Sequence, residues 1–135
     1  MQIKAYQGYH ADEIMGLYEA AGWTNYTDHP EMLEKAYRNS LLILGAYIDD
    51  QLIGILRAVG DGESVLLIQD ILVEPSYRRK GIGSELVREV FRRFPAVYQI
   101  QLVTDSMPET IAFYESLGFT PFEKMGCCGF MKIGL

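Results

Sequence analysis

Along the chain the period of the apolar positions changes several times, and each change marks an element. Residues 1–6, "MQIKAY", alternate apolar and polar and predict a first strand. Ile14, Leu17, Tyr18 and Ala21 then recur at helical spacing, with Gly22 as the stop. "WTNYTD" (23–28) predicts a loop. A second helix is expected from Pro30 to Asn39, with Leu33, Ala36 and Tyr37 on its apolar face and Pro30 in the first turn. "SLLILGAYI" (40–48) and "QLIGILRAV" (51–59) read as hairpin strands around an Asp49-Asp50 turn. "SVLLIQDILV" (64–73) is a long apolar strand, ended by Glu74-Pro75 because proline cannot continue a ladder.

The strongest helical stripe follows. Ile82, Leu86, Val87, Val90, Phe91 and Phe94 form an apolar face, and Glu85, Arg88, Glu89, Arg92 and Arg93 form its polar counterpart. After Pro95, "VYQIQLVT" (97–104) predicts a strand and "PETIAFYESLGF" (108–119) a short helix stopped by Gly118. "FTPFEKM" (119–125) and "CGFMKIGL" (128–135) predict two last strands. The order β-α-α-β-β-β-α-β-α-β-β describes a mixed α/β fold, with about seven strands flanked by four helices in a single domain over residues 1–135. Strand 65–73, the helix after it and strand 97–103 form a βαβ unit, so those two strands should be parallel.

Between that strand and the strong helix lies "YRRKGIGSEL" (77–86), with three cations and two glycines at the mouth of a helix. The first N–H groups of a helix lack intrahelical partners, its dipole places positive charge there, and glycine lets a ligand approach the backbone. Together these make a phosphate cradle. The run GxxxxGK[ST] is absent, which argues against an ATP or GTP loop. A dinucleotide fingerprint fits poorly as well, because Leu86 occupies the place of its third glycine. The template R/Q-x-x-G-x-G/A is matched in full by Arg78, Gly81 and Gly83.

Composition narrows the choice. Hydrophobic residues make up 49% and charged residues 22%, as in a globular chain. Net charge is −6, which disfavours nucleic acid as a partner. Yet Arg78, Arg79, Lys80, Arg88, Arg92 and Arg93 are half of the 12 Lys and Arg residues, a local concentration that suits a small anionic ligand. No apolar run approaches the roughly 20 residues of a membrane span, and "MQIKAYQGYH" lacks a signal peptide's apolar region; a cytoplasmic protein that does not engage a membrane is expected. Cys127 and Cys128 are adjacent, and His10 and His29 are remote from them. Free thiols, buried or half-exposed, and no metal site are therefore expected.

"DILVEPSYRRKGIGSEL" (70–86) and "TIAFYESLGF" (110–119) resemble the two cofactor-binding segments of the GNAT superfamily of acetyl-CoA-dependent N-acetyltransferases, and the order of elements resembles that family over nearly the whole chain. The resemblance implies that the backbone amides of Arg79, Lys80, Gly81, Ile82, Gly83 and Ser84 wrap the pyrophosphate of acetyl-CoA, with Arg79 and Lys80 reaching the phosphates. It gives Arg78 a structural role more often than a direct contact. It also implies that the strand before the cradle carries a bulge and splays from its neighbour, so that the pantetheine arm pairs with the backbone of Ile71, Leu72 and Val73. Phe113 would pack against that arm or the core, and Tyr114 would protonate the departing thiolate; the bland alternative is a core tyrosine beside Ile111 and Leu117. Where the family often has asparagine, seven residues before this tyrosine, stands Met107, which leaves that contact missing or replaced by Asp105, Ser106 or Thr110.

The acceptor side is less defined. In some family members an acidic residue matching Gln69 is the base, and glutamine cannot serve. Gln69 and Asp70 are adjacent on a strand, so their side chains should face opposite ways. Asp70 either acts through water or holds structure by hydrogen bonds, and a water chain ending at Tyr26, Asp28 or His29 is equally open. The loop holding Trp23, Tyr26, Asp28 and His29 covers the acceptor pocket in the resembled fold; hydrophobic closure by Trp23 and helix capping by Asp28 is the alternative. The expected reaction is acetyl transfer to the amine of a small molecule. A non-catalytic acyl-CoA-binding module and a protein lysine or N-terminal acetyltransferase are the alternatives. A homodimer through the last strands is the expected assembly.

Overall fold

A computed structural model describes residues 1–134. In chain order the described residues form β1 (Gln2–Ala5), α1 (Ala11–Ala20), α2 (Thr24–Thr27), α3 (Pro30–Arg38), β2 (Leu42–Ile48), β3 (Gln51–Gly60), β4 (Val65–Val73), α4 (Ile82–Arg93), β5 (Gln99–Leu102) and α5 (Pro108–Ser116). Short 3-10 turns lie at Pro75–Tyr77 and Phe122–Met125. The chain divides into two units, Met1–Val103 and Thr104–Leu135.

The first unit is a five-stranded sheet in the order β1-β2-β3-β4-β5. The first three pairings are antiparallel, and β4 and β5 are parallel, as the intervening helix requires. At the β2–β3 turn, Asp49 and Asp50 both adopt left-handed φ, 50° and 64°. That is the backbone a two-residue hairpin needs to match strand twist.

Two register shifts decide which side chains meet. Tyr47 pairs with Leu52 but Ala46 with Gly54, leaving Ile53 as an extra residue on β3. Arg57 pairs with Asp70 but Ala58 with Ile68, leaving Gln69 as an extra residue on β4. Paired residues share a face of the sheet, while neighbours on a strand alternate. Ile68 and Asp70 would share a face on a regular strand; the bulge at Gln69 puts them on opposite faces. Leu72 and its partner Ile55 therefore join Tyr6, Ile14, Leu17, Tyr18, Leu33, Tyr37 and Leu52 in a buried cluster with α1 and α3. On the other face α4 buries Ile82, Leu86, Val87 and Val90. A Cβ added at Gly54 would meet Ile82 there at 3.4 Å.

The α/β class holds, with two corrections to the expected elements. "WTNYTD" is not an open loop, because Thr24–Thr27 closes one helical turn. Five strands form among the described residues, not seven. "FTPFEKM" contains the 3-10 turn, which follows Pro121 and ends at Gly126 in left-handed conformation, φ 77°. Lys124 reaches Glu115 at 3.1 Å within the same unit instead of alternating along a strand. "CGFMKIGL" forms no strand over 128–134, and its last residue, Leu135, lies outside the described residues. Cys127 and Cys128 are exposed, not buried or half-exposed, because every described residue of that final stretch is exposed.

Candidate active site

The cradle begins where β4 runs out. Glu74 N–H donates to the Ile53 carbonyl at 2.8 Å, and the Glu74 carboxylate accepts from the Ser76 N–H and hydroxyl, which pins the turn. Arg78 turns back and donates from Nε to the Val73 carbonyl at 3.3 Å, a structural contact. Arg79 adopts φ 62° and Gly81 φ 80°, so the chain turns sharply twice before α4. Gly81 is the residue preceding the helix, and no side chain caps it; the first intrahelical bond there runs from Glu85 N–H to the Gly81 carbonyl at 3.1 Å. The amides of Ile82, Gly83 and Ser84 are thus left with helix-end character. A Cβ at Gly81 would meet nothing within 4 Å, so space stands open over the turn. Arg79 and Lys80 are exposed at its rim, and Lys80 Nζ lies 5.4 Å from the Tyr77 ring centre. Ile82 differs from its neighbours: its side chain is core, and only its backbone faces the cradle side of the turn.

Beside the cradle, the β4–β5 ladder ends at the pair Ile68–Leu102. Among the described residues Ile71, Leu72 and Val73 have no strand partner on that side, while on the other side they pair with Leu56, Ile55 and Gly54 of β3. An extended ligand arm could pair with this free backbone edge.

The bulge builds a polar floor that sequence reading missed. Arg57 Nε donates to Asp70 Oδ2 at 2.7 Å, and both residues are buried, 5% and 2% exposed. Tyr18 Oη donates to the same oxygen at 2.8 Å and lies 3.0 Å from Tyr37 Oη. The single Tyr18 proton goes to the carboxylate, so Tyr37 is the donor in the tyrosine pair. Arg57 Nη1 approaches Ser40 Oγ at 3.4 Å, and Ser40 donates to the Ala36 carbonyl at 2.7 Å. Arg57 Nη2 at 3.5 Å and Gln69 Nε2 at 3.4 Å converge on Tyr26 Oη. Gln69 and Asp70 therefore face the same side of the sheet, which corrects the expected opposition, because the bulge breaks the alternation at that step. Arg57 and Tyr18 did leave a signal: a lone cation in one apolar strand, a lone anion in the next, and a tyrosine in a helical stripe.

Burial governs protonation on this floor. Desolvation opposes the Arg57 charge, but the Asp70 carboxylate beside it more than offsets this, and the guanidinium is held above its usual range. Burial pushes the Tyr18 hydroxyl far above the ordinary phenol value, with Tyr37 and Asp70 adding to the shift. Tyr37 moves the same way, mainly by burial.

Of the four expected acceptor-loop residues, two are held and two are free. Trp23 and Tyr26 are half-buried and stacked, ring centres 6.2 Å apart, and Tyr26 meets Tyr18 edge-on at 5.2 Å. Asp28 and His29 are exposed. Asp28 does not cap α3; His29 stands at the capping position, and no side chain caps that helix.

In the second unit, Met107 precedes α5 and is 52% exposed; its N–H donates to Asp105 Oδ1 at 2.9 Å. Tyr114 is half-buried, packed edge-on against Phe113 at 4.9 Å and Phe119 at 5.9 Å. Burial, reinforced by Asp105, raises its pKa, so the hydroxyl keeps its proton at neutral pH.

A bulged central strand leads here through a glycine turn into an uncapped helix, an arrangement that can receive an anionic group at the helix end. The model of the Acetyltransferase (GNAT) family matches residues 9–119, and the chain belongs to that family. It is similar to a GNAT family acetyltransferase from Streptococcus pneumoniae TIGR4, with 40% identity and a TM-score of 0.89 over 98% of this chain and 97% of that one. It is 32% identical over 122 residues to an uncharacterized ycf52-like N-acetyltransferase of Prochlorococcus marinus, covering 87% of this chain and 67% of the relative. It spans smaller shares, 43% and 28%, of two further curated N-acetyltransferases. An aminoglycoside 6'-N-acetyltransferase complexed with coenzyme A shares the fold at 20% identity, with a TM-score of 0.71 over 87% of this chain and 84% of the other. No helix among the described residues is long and apolar enough to cross a membrane.

Two tests follow from the floor. Arg57→Met leaves Asp70 buried beside Tyr18 without its cation, and should lower stability by about 3–5 kcal/mol in urea unfolding. The double variant Arg57→Met/Asp70→Leu should recover much of that loss. If the single variant is as stable as the parent, the pair does not organise the floor. The second test is alkaline. Tyr18 and Tyr37 have folded pKa values raised above the unfolded value of about 10. Their contribution is complete below pH ~10 and is lost as pH rises above it, at up to about 1.4 kcal/mol per pH unit for each. Tyr18→Phe should flatten this decline in unfolding measured across that range; an unchanged slope would show that Tyr18 is not held protonated.

Proposed function

We propose that this chain moves an acetyl group from acetyl-CoA to the amine of a small molecule by direct attack, with no covalent enzyme intermediate. One observation carries the reading: the open edge of β4 at Ile71–Val73 leads through the turn at 74–81 to the uncapped N-terminus of α4. An arm that accepts and donates backbone hydrogen bonds and ends in a pyrophosphate fits that sequence of features. The residues present suit the donor: no Cβ obstructs Gly81, and Arg79 and Lys80 add charge where the helix end already favours anions, by about 0.3–1 kcal/mol at an exposed site.

In this reading the amides of Arg79–Ser84 bind the pyrophosphate, and the edge of Ile71, Leu72 and Val73 orients the arm. The bound thioester supplies an activated acyl group, so positioning and proton transfer are what remain for the protein. A free primary amine near pKa 10.4 is neutral in only about one molecule in 10³–10⁴ at pH 7. Asp70 is committed to Arg57 and Tyr18, which supports a structural role for it. We assign the amine's proton instead to water leading past Tyr26 to the exposed Asp28 and His29. Trp23 and Tyr26 form the apolar wall against which the amine sits. Tyr114, kept protonated, is the acid for the departing thiolate, and Phe113 packs beside it. The family match supports both assignments, since it spans the cradle and Tyr114.

Gly83 is the cleaner of the two glycines to substitute, because it lacks the left-handed φ of Gly81. Gly83→Val should leave the melting temperature nearly unchanged and weaken acetyl-CoA binding at least tenfold, about 1.4 kcal/mol, by calorimetry. Unchanged affinity in the folded variant would remove the cradle from the reading. Tyr114→Phe keeps the ring and its packing. Thiol release with a panel of amines should fall by about 10²-fold, with acetyl-CoA affinity retained. The loss should shrink for a donor with a more acidic thiol. Full activity in that variant would make Tyr114 a core residue only.

A further inference from the structure

The bulge at Gln69 brings two donors onto one hydroxyl. Arg57 Nη2 lies 3.5 Å and Gln69 Nε2 3.4 Å from Tyr26 Oη. A phenol oxygen accepts through its lone pairs and donates through a single hydrogen. Both incoming contacts take lone pairs, so the Tyr26 hydrogen points away from them, and it meets no acceptor among the described residues. The same contact fixes the Gln69 amide, which has donors on its nitrogen and an acceptor on its oxygen. With Nε2 turned to Tyr26, Oε1 faces outward on an exposed side chain and accepts from no described residue. An O–H donor and a C=O acceptor thus stand side by side at the polar tip of the aromatic wall of Trp23, Tyr26 and Tyr18. The pair meets no unmatched charge, because Arg57 behind it is neutralised by Asp70 at 2.7 Å.

The place of Gln69 on the strand gives this pair its meaning. The β4–β5 ladder stops at Ile68, the open edge begins at Ile71, and Gln69 lies between. In the acetyl-transfer reading, on which this inference rests, the pyrophosphate sits at the start of α4 and the arm runs back along Val73, Leu72 and Ile71. Its acyl end then arrives beside Gln69. Asp70 is buried there and committed to Arg57 and Tyr18, which leaves Gln69 and Tyr26 to meet the incoming amine.

We infer that Gln69 and Tyr26 select an amine with an oxygen on the adjacent carbon, as in a 2-amino alcohol or an α-amino carbonyl compound. Gln69 Oε1 accepts one N–H of the amine, and the Tyr26 hydroxyl donates to the neighbouring oxygen. The two protein groups touch, so their complement needs a donor and an acceptor equally close together, which an N–C–C–O unit provides. Without an unmatched cation in the pair, a hydroxyl or carbonyl oxygen suits it better than a carboxylate. An amine with hydrocarbon at that place displaces water from the Tyr26 hydrogen and returns nothing to it. Both side chains are positioning residues here, since neither gains nor loses a proton.

The test measures thiol release with 2-aminoethanol and with propylamine, which has the same length without the oxygen, and follows the ratio of the two kcat/KM values. The amines' own basicity is the same whichever variant is assayed, so a change in the ratio reports the contact. Tyr26→Phe keeps the ring against Trp23 and Tyr18 and should lower the ratio about tenfold. Gln69→Glu keeps an acceptor for the amine but has no N–H, so its carboxylate takes the Tyr26 hydrogen for itself. It should lower the ratio by a similar factor with acetyl-CoA affinity unchanged. Gln69 is exposed, so this variant decides the matter if Tyr26→Phe is unstable. A ratio that stays at the parent value in the folded variants overturns the inference and leaves acetyl transfer standing. No thiol release with any amine, although acetyl-CoA binds in calorimetry, overturns the acetyl-transfer reading and the inference with it.

Discussion

The contact between Arg57 and Asp70 organises the first unit. It joins β3 to β4 at the one place where their register slips, and it does so inside the core. Two buried charges at 2.7 Å are tolerable only when their remaining hydrogen-bonding capacity is also met. Tyr18 meets it from α1, Tyr37 supports Tyr18 from α3, and Ser40 approaches the guanidinium from the end of α3. No buried side-chain nitrogen or oxygen among the described residues is left without a partner. The price of burying charge is thus turned into geometry: helices on one face and strands below are locked in register by polar contacts that apolar packing alone would leave free to slide.

The open backbone edge and the aromatic cluster of the candidate site both descend from this arrangement. Past the bulge, β4 keeps its ladder to β3 while β5 falls away, which exposes the backbone of 71–73. The strand's end is then fixed by Glu74 and Arg78, so the glycine turn and α4 begin from a defined point. On the other face, Arg57 and Gln69 converge on Tyr26 and so anchor the short helix that presents Trp23.

Much of this was legible in the chain. The first four strands, the two strongest stripes and the parallel pair follow directly from apolar period, because each is fixed by burial of one face. The cradle was legible because glycine spacing, charge and a helix start coincide within ten residues. The orientation of Gln69 and Asp70 was not, since a bulge leaves no mark on alternation: 66, 68, 70 and 72 are all buried, as in a regular strand, yet they serve two faces. The final strands were misread for a related reason. Apolar content in "FTPFEKM" and "CGFMKIGL" is high enough for a strand, but Pro121, Gly126 and Gly129 break the backbone at points where alternation still looks sound. α2 is only four residues long, too short for any period to show.

The extra residue at position 69 also moves the buried side of β4 from one face of the sheet to the other. Before Gln69 the buried residues of β4, Leu66 and Ile68, lie on the α4 face, and after it the buried residues Asp70 and Leu72 lie on the face of α1 and α3. A volume change at Leu66 or Ile68 is met on the α4 side of the sheet, and one at Leu72 on the side of α1 and α3. The helix that follows the glycine turn and the helices that bring Tyr18 and Tyr37 to the polar floor thus rest on different buried residues of one strand.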